Sequence, residues 1–211
     1  PGILRNYLNT ILYASTGTLT CLIVTALMAY PLTVKEFKGK MLINVLLLIT
    51  MFFGGGLIPS YLNIRNLGMY DSLWALILPG AISTYNMLIM RSAIGALPDA
   101  LMEAAKLDGA SHFQRILNVV VPLTGATSAV LMLYYAVGHW NAWFNASLYI
   151  QSPSRFPLQL VLRQVLILGE DSEMASGMDA GSEIAAATVI KYALIVISTV
   201  PIMLLYPFLQ R

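Results

Sequence analysis

Charge is what this sequence has least of. Of its 211 residues only 10% are Asp, Glu, Lys or Arg, against 58% hydrophobic, and the mean hydropathy is +0.74. Ordinary soluble domains carry about 25% charged residues. A chain this poor in polar side chains cannot coat a water-soluble globule, which all but excludes a soluble enzyme. Cys21 is the single cysteine, so no internal disulfide can form and the stapled secreted class is excluded as well. A net charge of +2 without a basic cluster offers no footprint for nucleic acid. A Gly-x4-Gly-Lys-Ser/Thr phosphate loop is also missing, so the chain does not hold ATP by that motif. No serine or cysteine has an identifiable base near it. His112 and His139 fall on opposite sides of a membrane in the topology below, so no metal site is expected.

What is present is a series of long charge-free stretches. About 20 mostly apolar residues cross a bilayer core of roughly 30 Å. Residues 6–34, 41–64 and 72–90 carry no charge, and neither do residues 116–154, of which 122–140 is the expected span. Residues 184–210 are interrupted only by Lys191, which can snorkel near the entry end. The expected fold class is therefore all-α, a polytopic membrane helix bundle of about five spans. Starting at Pro1-Gly2, without methionine or signal peptide, and stopping just after an apolar segment, the chain reads as a piece of a larger membrane protein.

Positive charge sets the expected orientation. If the first span ends in the cytoplasm, Lys35, Lys38, Lys40, Arg91, Lys106, Arg115 and Arg211 lie inside. Arg5, Arg65, Arg155 and Arg163 lie outside, with the acidic residues Glu170, Asp171, Glu173, Asp179 and Glu183. Residues 33–40 then form a tight basic inner turn. Residues 54–71 form a longer outer connection, opened by Gly54-Gly55-Gly56 and Pro59, which end helices. Pro79-Gly80 should kink the third span, a break tolerated only against other protein or a wet cavity. Pro122, Pro201 and Pro207 mark further bends or ends.

The inner loop from Arg91 to Arg115 carries the densest signals. Pro98 suits a first helical position and Asp99 the positive end of a helix dipole. Leu97, Leu101, Ala104 and Ala105 recur at helical spacing. Asp108-Gly109 reads as a turn, and Ser111 with Gln114 as a capping box that starts a second helix. Small residues (Ala104, Ala105, Gly109, Ala110) would admit another backbone, and Glu103 would offer a carboxylate to a basic partner. By these residues alone the segment is either a surface-lying amphipathic helix or a docking helix for a cytosolic subunit.

Glu103-Ala104-Ala105, Gly109 after three residues, then Val119, Val121 and Pro122 resemble the EAA loop of ABC importer permeases, Glu-Ala-Ala-x3-Gly-x9-Ile-x-Leu-Pro. Valine in place of isoleucine and leucine is the one departure. Residues 55–61 (GGLIPSY), 74–80 (WALILPG), 135–145 (YAVGHWNAWFN) and 156–159 (FPLQ) are similar to the MalG-type permease subunits of bacterial carbohydrate ABC importers, the LplC/YtcP-like branch in particular. The resemblance covers essentially the whole chain. It implies a type I ABC importer permease fold in a single domain, residues 1–211, with the coupling loop at residues 92–121. Family members have six spans, so the first span and the terminal tail would be missing here.

The resemblance implies a bacterial inner-membrane location and a set of partners: a second homologous MalF-like permease, two cytosolic ATPases that bind ATP and Mg, and an extracytoplasmic solute-binding protein. It assigns ATPase coupling to Glu103, Ala104, Ala105, Asp108, Gly109 and Ala110. The chain itself would be a non-catalytic permease subunit without a cofactor, carrying an oligosaccharide or polysaccharide fragment. A sugar path needs aromatic faces and neutral hydrogen-bonding groups. Tyr135, His139, Trp140, Asn141, Trp143 and Asn145, with Tyr134 and Phe144, cluster at the outer end of one span. An interfacial aromatic belt would look the same. Three rival readings remain: a permease for a non-sugar solute, an ion-coupled secondary transporter fragment and a membrane-embedded enzyme. The second would place ionisable groups within the spans, where few are found.

Overall fold

The computed structural model describes residues 2–175, 189, 192–201 and 203. Every regular element among the described residues is helical. Helix α1, Ile3–Thr33, has 31 residues and so runs about 46 Å at 1.5 Å per residue, longer than a bilayer core. Its burial pattern is inverted relative to a soluble helix. Asn6, Thr10, Tyr13, Gly17, Cys21, Thr25 and Ala29, at helical spacing, face the other helices, while Leu4, Leu8, Leu12, Leu19, Ile23 and Leu27 are exposed. Membrane helices pack this way, because lipid tails solvate apolar side chains as well as a neighbouring helix would, and small or polar residues gain most from helix contact. Pro31 lacks an amide hydrogen, and α1 ends just beyond it, where Val34 N–H donates to the Pro31 carbonyl.

The remaining charge-free stretches fold as bent pairs. Helix α2 (Lys40–Phe52) and helix α3 (Leu57–Asn66) meet at 118° across Gly54-Gly55-Gly56, so α3 folds within the outer connection. Gly56 needs its hydrogen side chain there, with φ at +85°. Helix α4 (Leu73–Ile77) and its 3-10 extension Leu78–Gly80 meet helix α5 (Thr84–Gly95) at 57°, the kink expected from Pro79-Gly80. The Ser83 hydroxyl restarts the chain as α5 by accepting from Asn86 N–H.

Helix α6 (Asp99–Leu107) precedes helix α7 (His112–Arg115), a π turn over Ile116–Val120 and helix α8 (Val121–Leu123). The segment His112–Leu123 then meets helix α9, Gly125–Trp140, at 86°. The fourth span thus starts at Gly125 rather than Pro122, since Pro122 lies within the preceding rod and the chain turns only at Thr124 (φ −98°, ψ 18°). Helix α10 (Trp143–Tyr149), a 3-10 turn at Pro153–Arg155 and helix α11 (Leu158–Ala175) follow. Among the described residues α1 alone is long and apolar enough to cross a membrane unbroken, and up to four spans result if each bent pair counts as one. Of the expected fifth span, the described part is an apolar helix, Tyr192–Pro201 (α12). The rest of that span, Asp179 and Glu183 lie outside the described residues.

Two apolar cores stabilise opposite ends of the bundle. Ala29, Tyr30, Leu32, Leu47, Met87, Met90, Ile94, Ile116, Val120 and Leu131 form one, at the end that carries the 33–40 turn and α6. Tyr13, Ile64, Ala75, Leu76, Ala146, Tyr149, Ile150 and Leu160 form the other. At this second end polar side chains of α1 bond to distant backbone: Asn9 Nδ2 donates to Ser154 O (2.9 Å), Tyr13 OH to Arg155 O (2.7 Å), and Leu158 N–H to Thr10 Oγ1 (2.8 Å).

Asp71, at φ +54°, staples the same end together. Its carboxylate accepts from Gln151 N–H (3.0 Å), Ser152 N–H (3.1 Å) and the Ser152 hydroxyl, and pairs with Arg155 at 3.3 Å. The Ser152 hydroxyl, those two amides and the Arg155 charge together hold the Asp71 carboxyl below its ordinary range, against the opposing effect of burial. A depressed pKa contributes stability that is present above the ordinary aspartate value of about 3.9 and is lost as pH falls through the lower folded value. The protection of the Gln151 and Ser152 amides, their exchange measured against the intrinsic rate at each pH, should therefore fall as pH drops below about 4. Asp71→Ala should produce the same loss at neutral pH. Asp71→Asn, which keeps an acceptor and tolerates positive φ, should fall between. Unchanged exchange in Asp71→Ala would rule out the staple.

Candidate functional site

The first candidate site is the loop after α5. Leu97 N–H bonds back to Ile94 O, and Pro98 occupies the cap position, so that Asp99 begins α6, one residue later than the sequence suggests. Asp99 and Lys106 lie in the first and last turns, each matched to the helix dipole. α6 ends through Gly109, whose φ of +77° lets its own amide and that of Ala110 return to Lys106 O and Ala105 O. The capping box then forms as expected: Gln114 N–H donates to Ser111 Oγ (3.3 Å) and Ser111 N–H to Gln114 Oε1 (2.8 Å).

No residue of α6 is buried. Its inner side rests Met102 against the apolar core of Tyr30 and Ile94. Its outer side presents Ala104 and Leu101, with Leu107 at 89% exposure, and Phe113 of α7 is 61% exposed beside them. Asp108 and Gly109 are exposed too, and a Cβ at Gly109 would meet nothing within 4 Å among the described residues. This is an apolar, small-residue face without a neighbour among the described residues. Glu103 lines a cleft of about 410 Å³ between α6 and the 33–36 turn, with Lys35, Lys106 and Arg115.

Sequence reasoning missed what spans that cleft. Lys35 Nζ pairs with Asp99 Oδ2 at 2.7 Å, and Lys106 Nζ with Glu36 Oε1 at 2.8 Å. The Asp99 carboxylate raises the Lys35 pKa, and the Lys106 ammonium lowers that of Glu36. Tyr30, which lines the same cleft, shares a hydrogen bond of 3.1 Å between its hydroxyl and His112 Nδ1.

The second candidate site is the aromatic cluster at the end of α9. The structure distributes its six residues over three surroundings. Tyr135 is buried, its hydroxyl sharing a 2.7 Å hydrogen bond with Thr25 of α1. His139 lies against α1 at Gly17, with Nε2 3.4 Å from Cys21 Sγ. Trp140 is buried with its indole N–H on Ser198 O (3.1 Å) and its ring edge-on to Tyr7. Asn141 and Asn145 are exposed. Trp143 is half-buried, edge-on to Phe144, and the Arg163 guanidinium lies 3.7 Å from its ring centre. Trp140 and Trp143 therefore face different neighbours. His112 contacts Tyr30 and His139 contacts Gly17, thirteen residues apart on α1, which is about 20 Å.

Comparison with known proteins gives a consistent set of likenesses. Residues 12–211 match the family described as binding-protein-dependent transport system inner membrane component. The protein LplC of Bacillus subtilis is 42% identical over 211 residues, 100% of this chain and 71% of that protein. The polygalacturonan/rhamnogalacturonan transport system permease protein YtcP, also of Bacillus subtilis, is 36% identical over 214 residues, covering 99% of this chain and 73% of that one. A chain in the crystal structure of a bacterial ABC transporter involved in import of the acidic polysaccharide alginate superposes with a TM-score of 0.88. It is 27% identical, and the match covers 99% of this chain and 74% of that one.

Proposed function

The chain belongs to the binding-protein-dependent transport system inner membrane components, and from that premise we propose that it is the sugar-conducting permease half of an ATP-driven importer. A second, related permease would complete the path, two cytosolic ATPases would power it, and an extracytoplasmic binding protein would deliver an oligosaccharide or polysaccharide fragment. The names borne by YtcP and the alginate importer support polysaccharide-derived cargo. The observation that carries the reading is α6: a helix with an uncovered small-residue face, closed by a glycine turn at Gly109. Glu103, Ala104, Ala105, Asp108, Gly109 and Ala110 form the ATPase-docking segment in this reading, within a coupling loop of residues 92–121 in a single permease domain. That end of the bundle is cytoplasmic, in agreement with its lysines and arginines. The chain is a non-catalytic subunit, and ATP hydrolysis takes place in the ATPase subunits.

For the sugar path we assign direct contact to Trp143, Asn141 and Asn145, which are accessible, and a positioning role to Tyr135, His139 and Trp140, whose polar atoms are committed within the bundle. Uptake against sugar concentration in the reconstituted assembly tests both levels. Wild-type uptake should require ATP and the binding protein, and uptake that needs neither would overturn the importer reading. Trp143→Ala should raise the half-saturating sugar concentration several-fold, as expected when about 1 kcal/mol of stacking is removed. Trp140→Ala should instead reduce stability, by about 3–5 kcal/mol for a buried tryptophan, with half-saturation unchanged. Unaltered half-saturation in Trp143→Ala removes that residue from the path.

A further inference from the structure

The turn between α1 and α2 belongs to no motif, yet its two adjacent, oppositely charged residues meet the two ends of α6. Lys35 bonds Asp99 in the first turn of α6, and Glu36 bonds Lys106 in the last. The partners are 64 and 70 residues apart in sequence. Between these contacts α6 does not pack tightly on the turn: the cleft of about 410 Å³ lies there, lined by Thr33, Val34, Leu97 and Glu103 as well as the paired charges. The order of signs also matters. Reversing the turn along α6 would bring Lys35 toward Lys106 and Glu36 toward Asp99, so the order of signs selects one orientation. The same turn directly follows Pro31 and the end of α1, the helix packed against both α5 and α9.

We propose that Lys35 and Glu36 are positioning residues of the coupling apparatus: they clamp α6 by both ends, so that displacement of α6 passes directly into α1. This rests on the reading of α6 as the ATPase-docking helix. Exposed ion pairs stabilise a fold very little, so these contribute mainly direction, holding α6 in register while the apolar core carries stability. Movement through the covalent path alone would pass along α5 and the π turn, with α1 following only through side-chain packing. The clamp adds a second connection at the far side of the cleft. It predicts that the charges act as pairs and not one by one.

Charge reversal and charge exchange separate these possibilities in the reconstituted assembly of permeases, ATPases and binding protein. Lys35→Glu and Asp99→Lys should each lower sugar transported per ATP hydrolysed by about fivefold, the lower end of usual coupling effects. The exchanged pair, Lys35→Glu with Asp99→Lys, should restore the ratio to within about twofold. Glu36→Lys, Lys106→Glu and their combination should repeat the pattern. Lys35→Arg, which keeps charge and reach, should behave as wild type and guards against reading a folding failure as uncoupling. The ratio, not the rate, is the readout, since loss of folded protein lowers both transport and hydrolysis equally. Single reversals with a wild-type ratio overturn the clamp. So do exchanged pairs as defective as the singles, which would mean that these residues contact the ATPase separately. A wild-type assembly whose hydrolysis ignores binding protein and sugar would fail differently, by removing the importer reading itself.

Discussion

Gly109→Val should abolish coupled transport while leaving the permease inserted in the membrane. At φ +77° an L-residue is disfavoured by about 1–2 kcal/mol, and a β-branched one by more. Among the described residues a Cβ there meets no atom within 4 Å. Two consequences follow for valine: the return bonds from Gly109 and Ala110 to the end of α6 are strained, and its methyl groups stand where the ATPase should approach. Transport should fall by tenfold or more, since each ~1.4 kcal/mol lost from docking is a factor of ten. Gly109→Ala isolates the conformational part and should lose less. Uptake and ATP hydrolysis measured together check this, and full activity in Gly109→Val would end the docking role of the turn.

The second large effect is expected midway along α1. A Cβ on Gly17 would lie 2.7 Å from His139 Nε2, 2.8 Å from Cδ2 and 2.9 Å from Cε1. The imidazole fills the notch left by the glycine, so Gly17→Ala must displace it from Cys21. Overpacking of this kind costs about 1–3 kcal/mol. The test is a double-mutant cycle read by thermal unfolding of the solubilised protein. His139→Ala should largely relieve Gly17→Ala, giving a coupling of about 0.5–3 kcal/mol. Strictly additive losses would show that the two residues do not share this contact.

What the sequence revealed, and what it hid, divides along the range of the interactions. Ser111 and Gln114 were legible as a capping box because both partners lie within one helical turn. Gly109 and Pro79-Gly80 were legible because each restricts the backbone where it stands. The glycines at 54–56 announced a break but not its 118° angle, which α3 takes from burying Ile64 beside Ala75 and Leu76. The Lys35–Asp99, Glu36–Lys106 and Asp71–Ser152 contacts join residues at least 64 positions apart, and no local pattern marks such partners. The aromatic residues after Gly138 were visible as a group, but side-chain direction was not. One helical step of 100° sends His139 toward Cys21 and Trp140 toward Ser198.

The bonds from Asn9, Thr10 and Tyr13 to residues 154–158 also bear on how the chain is made. The acceptors and donors that satisfy these three side chains emerge from the ribosome roughly 145 residues later, or on the order of 7–30 s at ordinary synthesis rates. Through that interval α1 is in place while Asn9 and Tyr13 lack these partners, and the Thr10 hydroxyl has its bond to Asn6 O (3.1 Å) within the helix. This end of the bundle must therefore close from residues 154–158 back onto α1. A ribosome stalled between residues 110 and 150 would hold α1 packed on α5 but without these bonds at its other end, the form a membrane protease or insertion chaperone would meet.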